Sequence, residues 1–234
     1  MSDSGFSKSS AAEQHWLSPQ PAARRLWPWL LLLATMALVV ALRFTLMRGT
    51  EVSSGRDGQS DSGVGAKLTT VDLQPLTGNP PPVSLTDLQG KITLINFWGT
   101  WCNPCVVEFP HLVELEQHFR SEPEFQFLSV SSNSDPRDDR GLAENTAEFL
   151  KQQQAEFPTY RDSDAKTIIS LIETAKLSGF GFPTTIVVDR EAIIRGIWVG
   201  YHAGDEKNMR QTVERLLLND AKAAEPLPAR ASSG

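Results

Sequence analysis

Residues 92–105 read Ile-Thr-Leu-Ile-Asn-Phe-Trp-Gly-Thr-Trp-Cys-Asn-Pro-Cys, and this stretch decides the fold. Its first half, Ile92 to Trp98, is a compact run of β-branched and aromatic residues, which is typical of a buried central strand. From Pro104 onward the apolar residues recur at helical spacing, so a helix follows. Cys102 and Cys105 are therefore predicted to lie at the junction between a strand and a helix.

A cysteine at the start of a helix has distinctive chemistry. Free backbone N–H groups and the helix dipole favour an anion there, so we expect a lowered pKa for the Cys102 thiol and a partly exposed sulfur. Cys105 lies one helical turn further on, where it can close a small disulfide ring or attack a mixed disulfide formed by Cys102. Pro104 fits the first turn of such a helix. This arrangement indicates thiol–disulfide exchange.

Two other uses of the cysteine pair are open. A static structural disulfide is disfavoured, because closing so short a loop stabilises a fold only a little. A zinc or copper site needs two further ligands. His111 and His118 lie on a helix that carries them away from its start, whereas His202 is far along the chain and could approach. We expect no metal, and no cofactor besides the redox-active cysteine pair.

Composition excludes several other classes of protein. Of the 234 residues, 40% are apolar and 21% are charged, as in a globular chain. Residues 67–219 hold 14 Lys and Arg against 21 Asp and Glu, which argues against binding to nucleic acid. Cys102 and Cys105 are the only cysteines, which excludes a multi-disulfide scaffold and a four-cysteine zinc site.

Residues 67–219 alternate between strand and helix patterns. Strands are predicted at 83–90 (with a turn), 92–98, 125–130, 184–189 and 193–199, and helices at 104–119, 142–154, 167–175 and 206–218. Alternating elements that end in a hairpin and a helix indicate an α/β fold, with a central mixed sheet flanked by helices on both faces.

Four predicted segments lie outside this domain. Residues 1–25 are polar, residues 26–47 form a transmembrane anchor, residues 48–66 are a Gly- and Ser-rich linker, and residues 220–234 are a disordered tail. The anchor is 22 residues long with Arg43 as its one charge, close to the ~20 residues that cross a bilayer. A cleaved secretory signal is the alternative, although the polar start is long for one. Either interpretation can place the domain outside the cytoplasm, and the anchor makes it a single-pass protein of the cell membrane.

Residues 96–110, Asn-Phe-Trp-Gly-Thr-Trp-Cys-Asn-Pro-Cys-Val-Val-Glu-Phe-Pro, closely resemble the active-site stretch of the membrane-anchored thioredoxin-like reductants, the TlpA/ResA group. Residues 85–95 resemble that group's entry strand, and residues 181–189 resemble its cis-proline segment. The resemblance covers residues 67–219 and implies a thioredoxin fold. It also implies reduction of disulfides in extracytoplasmic partner proteins, with a membrane thiol carrier as electron donor. Members of the group often serve cytochrome c maturation or copper-site assembly.

The resemblance also assigns roles to individual residues. Cys102 is the attacking thiol and Cys105 the resolving one. Glu108 matches an acidic residue kept near the buried cysteine, and its spacing from Cys105 places both on one helix face, where a carboxylate could shuttle the proton of Cys105. Pro183 matches a cis-proline that faces the disulfide. A cis bond there leaves backbone groups of Phe182 free to pair with a substrate strand.

Three residues before the cysteines refine this interpretation. Trp101, if exposed beside Cys102, provides an apolar docking surface, whereas Trp98 is expected in the core. Asn96 stands where cytosolic thioredoxins carry an acid. Because an amide cannot take a proton, the shuttling role passes to Glu108.

The direction of electron flow is the main open question. Pro104 replaces the histidine of oxidising relatives, which favours a reductant. A disulfide oxidase or isomerase on the same fold and a copper-binding assembly factor are the alternatives. A peroxidase is disfavoured, because such enzymes resemble Pro-x-x-x-Thr-x-x-Cys, whereas here Thr100 is two residues before Cys102 and position 95 is Ile95.

Overall fold

The computed structural model describes residues 29–39, 56–135 and 138–223, with the backbone alone for residues 219–223. The chain divides into two units, one ending at Val52 and the other beginning at Ser53. In the first unit residues 29–39 are helical and apolar, and their side chains are exposed. Among the described residues, no helix combines the length and apolar character that crossing a membrane requires. The polar segment 1–25 and both ends of the predicted anchor, 26–28 and 40–47, lie outside the described residues.

The second unit is built on one mixed sheet. Its described strands are β1 (Asp72–Thr77), β2 (Val83–Ser84), β3 (Ile92–Trp98), β4 (Phe125–Ser131), β5 (Thr159–Arg161), β6 (Thr184–Val188) and β7 (Ile194–Val199). They lie in the order β2-β1-β5-β4-β3-β6-β7. Strand β4 runs parallel to its neighbours β3 and β5, and the other pairs are antiparallel. The helices are α1 (Asn103–Phe119), α2 (Leu142–Gln152), α3 (Lys166–Ala175) and α4 (Asp205–Ala223).

The central strand β3 is buried along its whole length because both of its faces are covered. Ile92 and Leu94 pack in a cluster with the apolar side chains of α1 and α4. Ile95 and Phe97 point the other way, into a cluster with α3. The predicted α/β fold, with helices on both faces of a mixed sheet, is therefore confirmed.

Two short strands were not predicted from the sequence. Pro75 lies within β1, and a proline in such a short run argues against a strand when the sequence is read alone. Strand β5 has only three residues, which is too few to give a period. Strand β5 is held between β1 and β4 by pairing in the sheet, and such pairing is not visible in the sequences of short strands.

The described part of the predicted linker belongs to the folded domain, which corrects its boundary at residue 67. Gly58–Ser60 form a turn of 3₁₀ helix, and a side chain at Gly58 would overlap the indole of Trp198. That indole donates a hydrogen bond to the carbonyl of Arg56 over 3.0 Å. At the other end, α4 continues to Ala223, beyond the predicted start of the tail at residue 220. Residues 48–55 and 224–234 lie outside the described residues.

Candidate active site

Cys102 and Cys105 form a disulfide at the start of α1, with 5.2 Å between their Cα atoms. Cys102 has extended backbone angles and is the N-cap of the helix, and its sulfur accepts the N–H of Cys105 over 3.2 Å. Pro104 lies in the first turn, as predicted. Cys102 is 4% exposed and Cys105 1%, so the pair lies deeper than expected. Both cysteines belong to an apolar cluster with the rings of Trp98 and Phe109, and Phe182 packs against that cluster.

Glu108 lies on the same helix as Cys105, one turn further on, and is completely buried. Its carboxylate accepts hydrogen bonds from the Asn96 amide at 3.1 Å and from the Thr185 hydroxyl at 3.2 Å. Removal from water raises the pKa of Glu108 to about 7, although these two hydrogen bonds oppose the rise. Glu108 can therefore hold or release a proton at neutral pH, next to a buried cysteine.

The register of the sheet brings Asn96 and Thr185 to Glu108. Asn96 on β3 lies directly opposite Thr185 on β6, and its amide nitrogen donates to the Thr185 hydroxyl over 2.9 Å. The amide oxygen of Asn96 is buried without a partner among the protein atoms. Sequence reasoning missed Thr185, because Thr184–Val188 reads as an ordinary buried strand and nothing in one sequence gives a cross-strand register.

The predicted cis-proline segment lies beside the disulfide cluster. The Phe182–Pro183 peptide bond is cis, as the resemblance implied. The carbonyl of Pro183 accepts the N–H of Gly200 over 2.6 Å, which ties this segment to the loop after β7. The ring of Phe182 contacts Trp101 edge to face, with 5.3 Å between centroids.

The two tryptophans differ in exposure as expected. Trp101 is 45% exposed, and its ring N–H donates to the carbonyl of Ser132 over 2.9 Å. That bond and the contact with Phe182 hold the ring, and the remaining surface of the ring is exposed beside Cys102. Trp98 is completely buried, with its ring N–H on the Ser129 hydroxyl.

A charged pair lies at the same end of the domain. Asp205, at the start of α4, is fully buried, and its carboxylate accepts the backbone N–H of Arg56 at 2.6 Å and its guanidinium at 2.9 Å. The guanidinium also donates to the carbonyls of Val199 and Gly200 over 2.7 Å each. Asp205 raises the pKa of Glu108 and Arg56 lowers it, both by smaller amounts than burial. Sequence reasoning missed Arg56, since it lies in a Gly- and Ser-rich stretch.

The three histidines in the described part of the chain have other neighbours than the cysteines. His111 stacks on Tyr201 with 5.9 Å between ring centroids, and His118 contacts Arg210. The side chain of His202 lies 3.9 Å from the carboxylate of Asp205. Across residues 29–39, 56–135 and 138–223, no group of three or more His, Cys, Asp and Glu is arranged to hold a metal ion.

This chain is similar in sequence to proteins that are named thiol-disulfide oxidoreductases. Residues 64–197 match the family model described as AhpC/TSA family. The thiol-disulfide oxidoreductase ResA of Bacillus subtilis (strain 168) is 26% identical over 166 residues, which cover 70% of this chain and 80% of that protein. The ResA of Bacillus cereus (strain ZK / E33L) is 32% identical over 109 residues, or 47% of this chain and 55% of that protein.

Solved structures give the fold. A crystal structure of a thiol:disulfide interchange protein DsbE from Chlorobium tepidum has a TM-score of 0.52 at 24% identity, covering 66% of this chain and 97% of that one. A solution structure of a protein disulfide isomerase from Bacteroides thetaiotaomicron has a TM-score of 0.55 at 18% identity, covering 68% and 93%. The arrangement of the sheet and its helices is thus thioredoxin-like. Because residues 64–197, which match the family model, make up more than half of this chain, the chain belongs to the AhpC/TSA family of thioredoxin-like proteins.

Proposed function

We propose that this protein is a thiol–disulfide oxidoreductase that reduces disulfides in partner proteins. The observation that carries the proposal is the disulfide at the start of α1 together with the buried carboxyl group of Glu108. That group lies one helical turn after Cys105 and has a pKa of about 7. A disulfide that served only stability would need no proton acceptor beside its inner cysteine. The names of the ResA relatives support the same activity.

The cysteines would react in two steps. In the reduced protein, the Cys102 thiolate attacks a substrate disulfide, forms a mixed disulfide and expels one substrate thiolate. Cys105 then gives its proton to Glu108 and attacks the Cys102 sulfur, which breaks the mixed disulfide and releases the second substrate thiolate. Each leaving thiolate takes up one proton, the second from Glu108. The protein is oxidised by two electrons and the substrate disulfide is reduced by two.

Trp101, Phe182 and Pro183 would form the docking surface for the substrate. Trp101 presents an exposed apolar ring, and Phe182 contacts that ring and packs against the cluster that holds the disulfide. Pro183 follows Phe182 through the cis bond. A substrate chain lying across them would bring its disulfide to Cys102, the N-cap residue of α1.

We further propose that residues 26–47 tether the domain to the cell membrane and that it works outside the cytoplasm. The length and apolar character of this stretch in the sequence support the tether. In that compartment a membrane thiol carrier would re-reduce Cys102 and Cys105. The substrates would be disulfide-bonded proteins of cytochrome c maturation or of copper-site assembly.

The direction of electron flow is tested by the reduction potential of the cysteine pair. The full chain is equilibrated against thiol buffers and the fraction of disulfide is measured. We expect a potential near or below about −250 mV, the range of thioredoxin-type reductants. A potential near about −120 to −180 mV would instead place the protein with oxidases and isomerases.

The two-step mechanism is tested with a chromogenic aromatic disulfide. The wild-type reduced protein should release two equivalents of coloured thiolate, one for each step. Cys105→Ser should release one and keep the other as a stable adduct on Cys102, whereas Cys102→Ser should release none at the wild-type rate. If Cys105→Ser forms no adduct, the assignment of Cys102 as attacking thiol is wrong. Stoichiometric copper in protein purified without added metal would support the assembly factor instead.

A further inference from the structure

The hydroxyl of Thr185 has its direction fixed by its neighbours. Its oxygen lies 2.9 Å from the amide nitrogen of Asn96 and 3.2 Å from the carboxylate of Glu108. An amide nitrogen can only donate a hydrogen bond, so the hydroxyl oxygen accepts from Asn96. The hydroxyl hydrogen is then left for the acceptor on the other side, which is Glu108.

Asn96 also donates a hydrogen bond directly to the carboxylate of Glu108. The same amide nitrogen lies 3.1 Å from the other carboxylate oxygen of Glu108. Glu108 therefore receives one hydrogen bond on each oxygen, from two strands that are themselves paired in register. All three side chains are buried, so the carboxylate is held in place by these donors rather than by solvent.

We propose that Thr185 is a positioning residue for the proton transfer from Cys105 to Glu108, and that Asn96 sets the direction of its hydrogen bond. The inference rests on the proposed function. Both donors favour the ionised form of the carboxyl group, which is the form that can accept a proton. An acid at position 96 would be an acceptor instead, and would turn the Thr185 hydroxyl away from Glu108.

The transfer moves one proton from Cys105 to Glu108. The S–H bond of Cys105 breaks, an O–H bond forms on Glu108, and the electron pair stays on the sulfur that attacks the mixed disulfide. Without the Thr185 hydroxyl, burial would raise the pKa of Glu108 further, and less carboxylate would be present at neutral pH. The other groups that act on Glu108 are Asp205 and Arg56, while the Tyr201 hydroxyl is held by Glu206.

The test compares Thr185→Val, which keeps the side-chain shape and removes the hydroxyl, with the wild-type full chain. The pKa of Glu108 is read from the ¹³C NMR shift of its carboxyl carbon in the disulfide form. We expect Thr185→Val to raise it by on the order of one unit. Thr185→Ser should restore a value close to wild type, because serine returns the hydroxyl. Thr185→Ala serves as a second variant if valine disturbs β6.

Thr159→Val is the matched control. Thr159 is also a buried strand threonine, and its hydroxyl bonds to that of Thr77 over 2.8 Å. Its loss should lower stability without moving the pKa of Glu108. A pKa in Thr185→Val that stays within a few tenths of the wild-type value would overturn the inference.

A kinetic measurement connects the pKa to the reaction. The second release of coloured thiolate from the aromatic disulfide reports the step in which Cys105 resolves the adduct. At pH 7 Thr185→Val should slow this release roughly fivefold, because a pKa near 8 leaves about a tenth of Glu108 ionised instead of half. The deficit should shrink as the pH rises, which a loss of folding would not do. Because the NMR titration needs no turnover, a protein that shows the pKa shift but reduces no disulfide would contradict only the proposed function.

Discussion

The backbone N–H of Cys105 donates to the sulfur of Cys102 over 3.2 Å, within the same turn that the disulfide closes. In the reduced protein this donor and the helix dipole would stabilise a thiolate on Cys102, whereas Cys105 lies within α1 and its side chain is buried in an apolar cluster. We therefore predict that iodoacetamide alkylates Cys102 at least tenfold faster than Cys105 at pH 7. Peptide mapping by mass spectrometry gives the two rates, and equal rates would mean that the helix start does not activate Cys102.

Glu108 should make stability depend on pH in a defined window. Its pKa in the folded protein is about 7, against an ordinary value of 4.5. Between these values the folded state binds more protons than the unfolded state, so the free energy of unfolding falls as the pH rises from about 4.5 to about 7 and then levels off. The loss amounts to about 3 kcal/mol. Glu108→Gln, which stays neutral, should lack it.

Urea unfolding of the disulfide form, at pH 4.5 and pH 8, measures this effect. The relevant quantity is the difference between wild type and Glu108→Gln at each pH, because other groups titrate equally in both proteins. From pH 4.5 to pH 8, the free energy of unfolding of Glu108→Gln should rise relative to that of the wild type. An unchanged difference would show that Glu108 is not desolvated as the structure has it.

Trp101 should matter for protein substrates more than for small ones. Its exposed ring can bury against a partner chain, and aromatic side chains at the centre of an interface often contribute most of the binding energy. Trp101→Ala should lower kcat/KM for a disulfide-bonded protein about tenfold, and should change the reaction with the small aromatic disulfide less than twofold. Ile169→Ser removes another exposed apolar side chain, on α3, and should affect neither substrate.

Arg56 should contribute to stability although it lies in a stretch that resembles a spacer. Its removal leaves the carboxylate of Asp205 buried without its cation, and breaking such a pair costs about 3–5 kcal/mol when both partners are buried. Because Arg56 is 40% exposed, we expect a loss of about 2 kcal/mol for Arg56→Ala. Arg120→Ala breaks an exposed helix pair with Glu116 and should cost about 0.5 kcal/mol or less. Equal losses in the two variants would argue against the buried pair.

The sequence alone predicts the central elements of this fold well. Ile92–Trp98 is apolar on both faces, and the structure places a strand at the same two bounds. Helix α1 also begins where the cysteines and Pro104 indicate. These elements are predictable because burial on both faces or on one stripe leaves a periodic pattern in the residues themselves.

The contacts of Glu108 could not be predicted from the sequence in the same way. Its position on the helix suggests an ordinary solvated glutamate, and only the resemblance indicated burial. The contact with Thr185 depends on the pairing of β3 with β6, which is set by the whole sheet. Arg56 was missed for a related reason, since its partner Asp205 is 149 residues away in the chain and the local composition indicates a flexible segment.

The contacts of Arg56 and Gly58 also decide how this chain can vary and how it can be cut. A spacer normally tolerates insertions and substitutions, but a change at Arg56 or Gly58 would disturb the contacts with Trp198 or with Asp205 at the start of α4. A domain cut to begin at Lys67 would expose the indole of Trp198 and leave the buried carboxylate of Asp205 without the guanidinium of Arg56. A fragment intended to fold alone therefore has to begin at or before Arg56, although the composition of residues 56–66 is that of a linker.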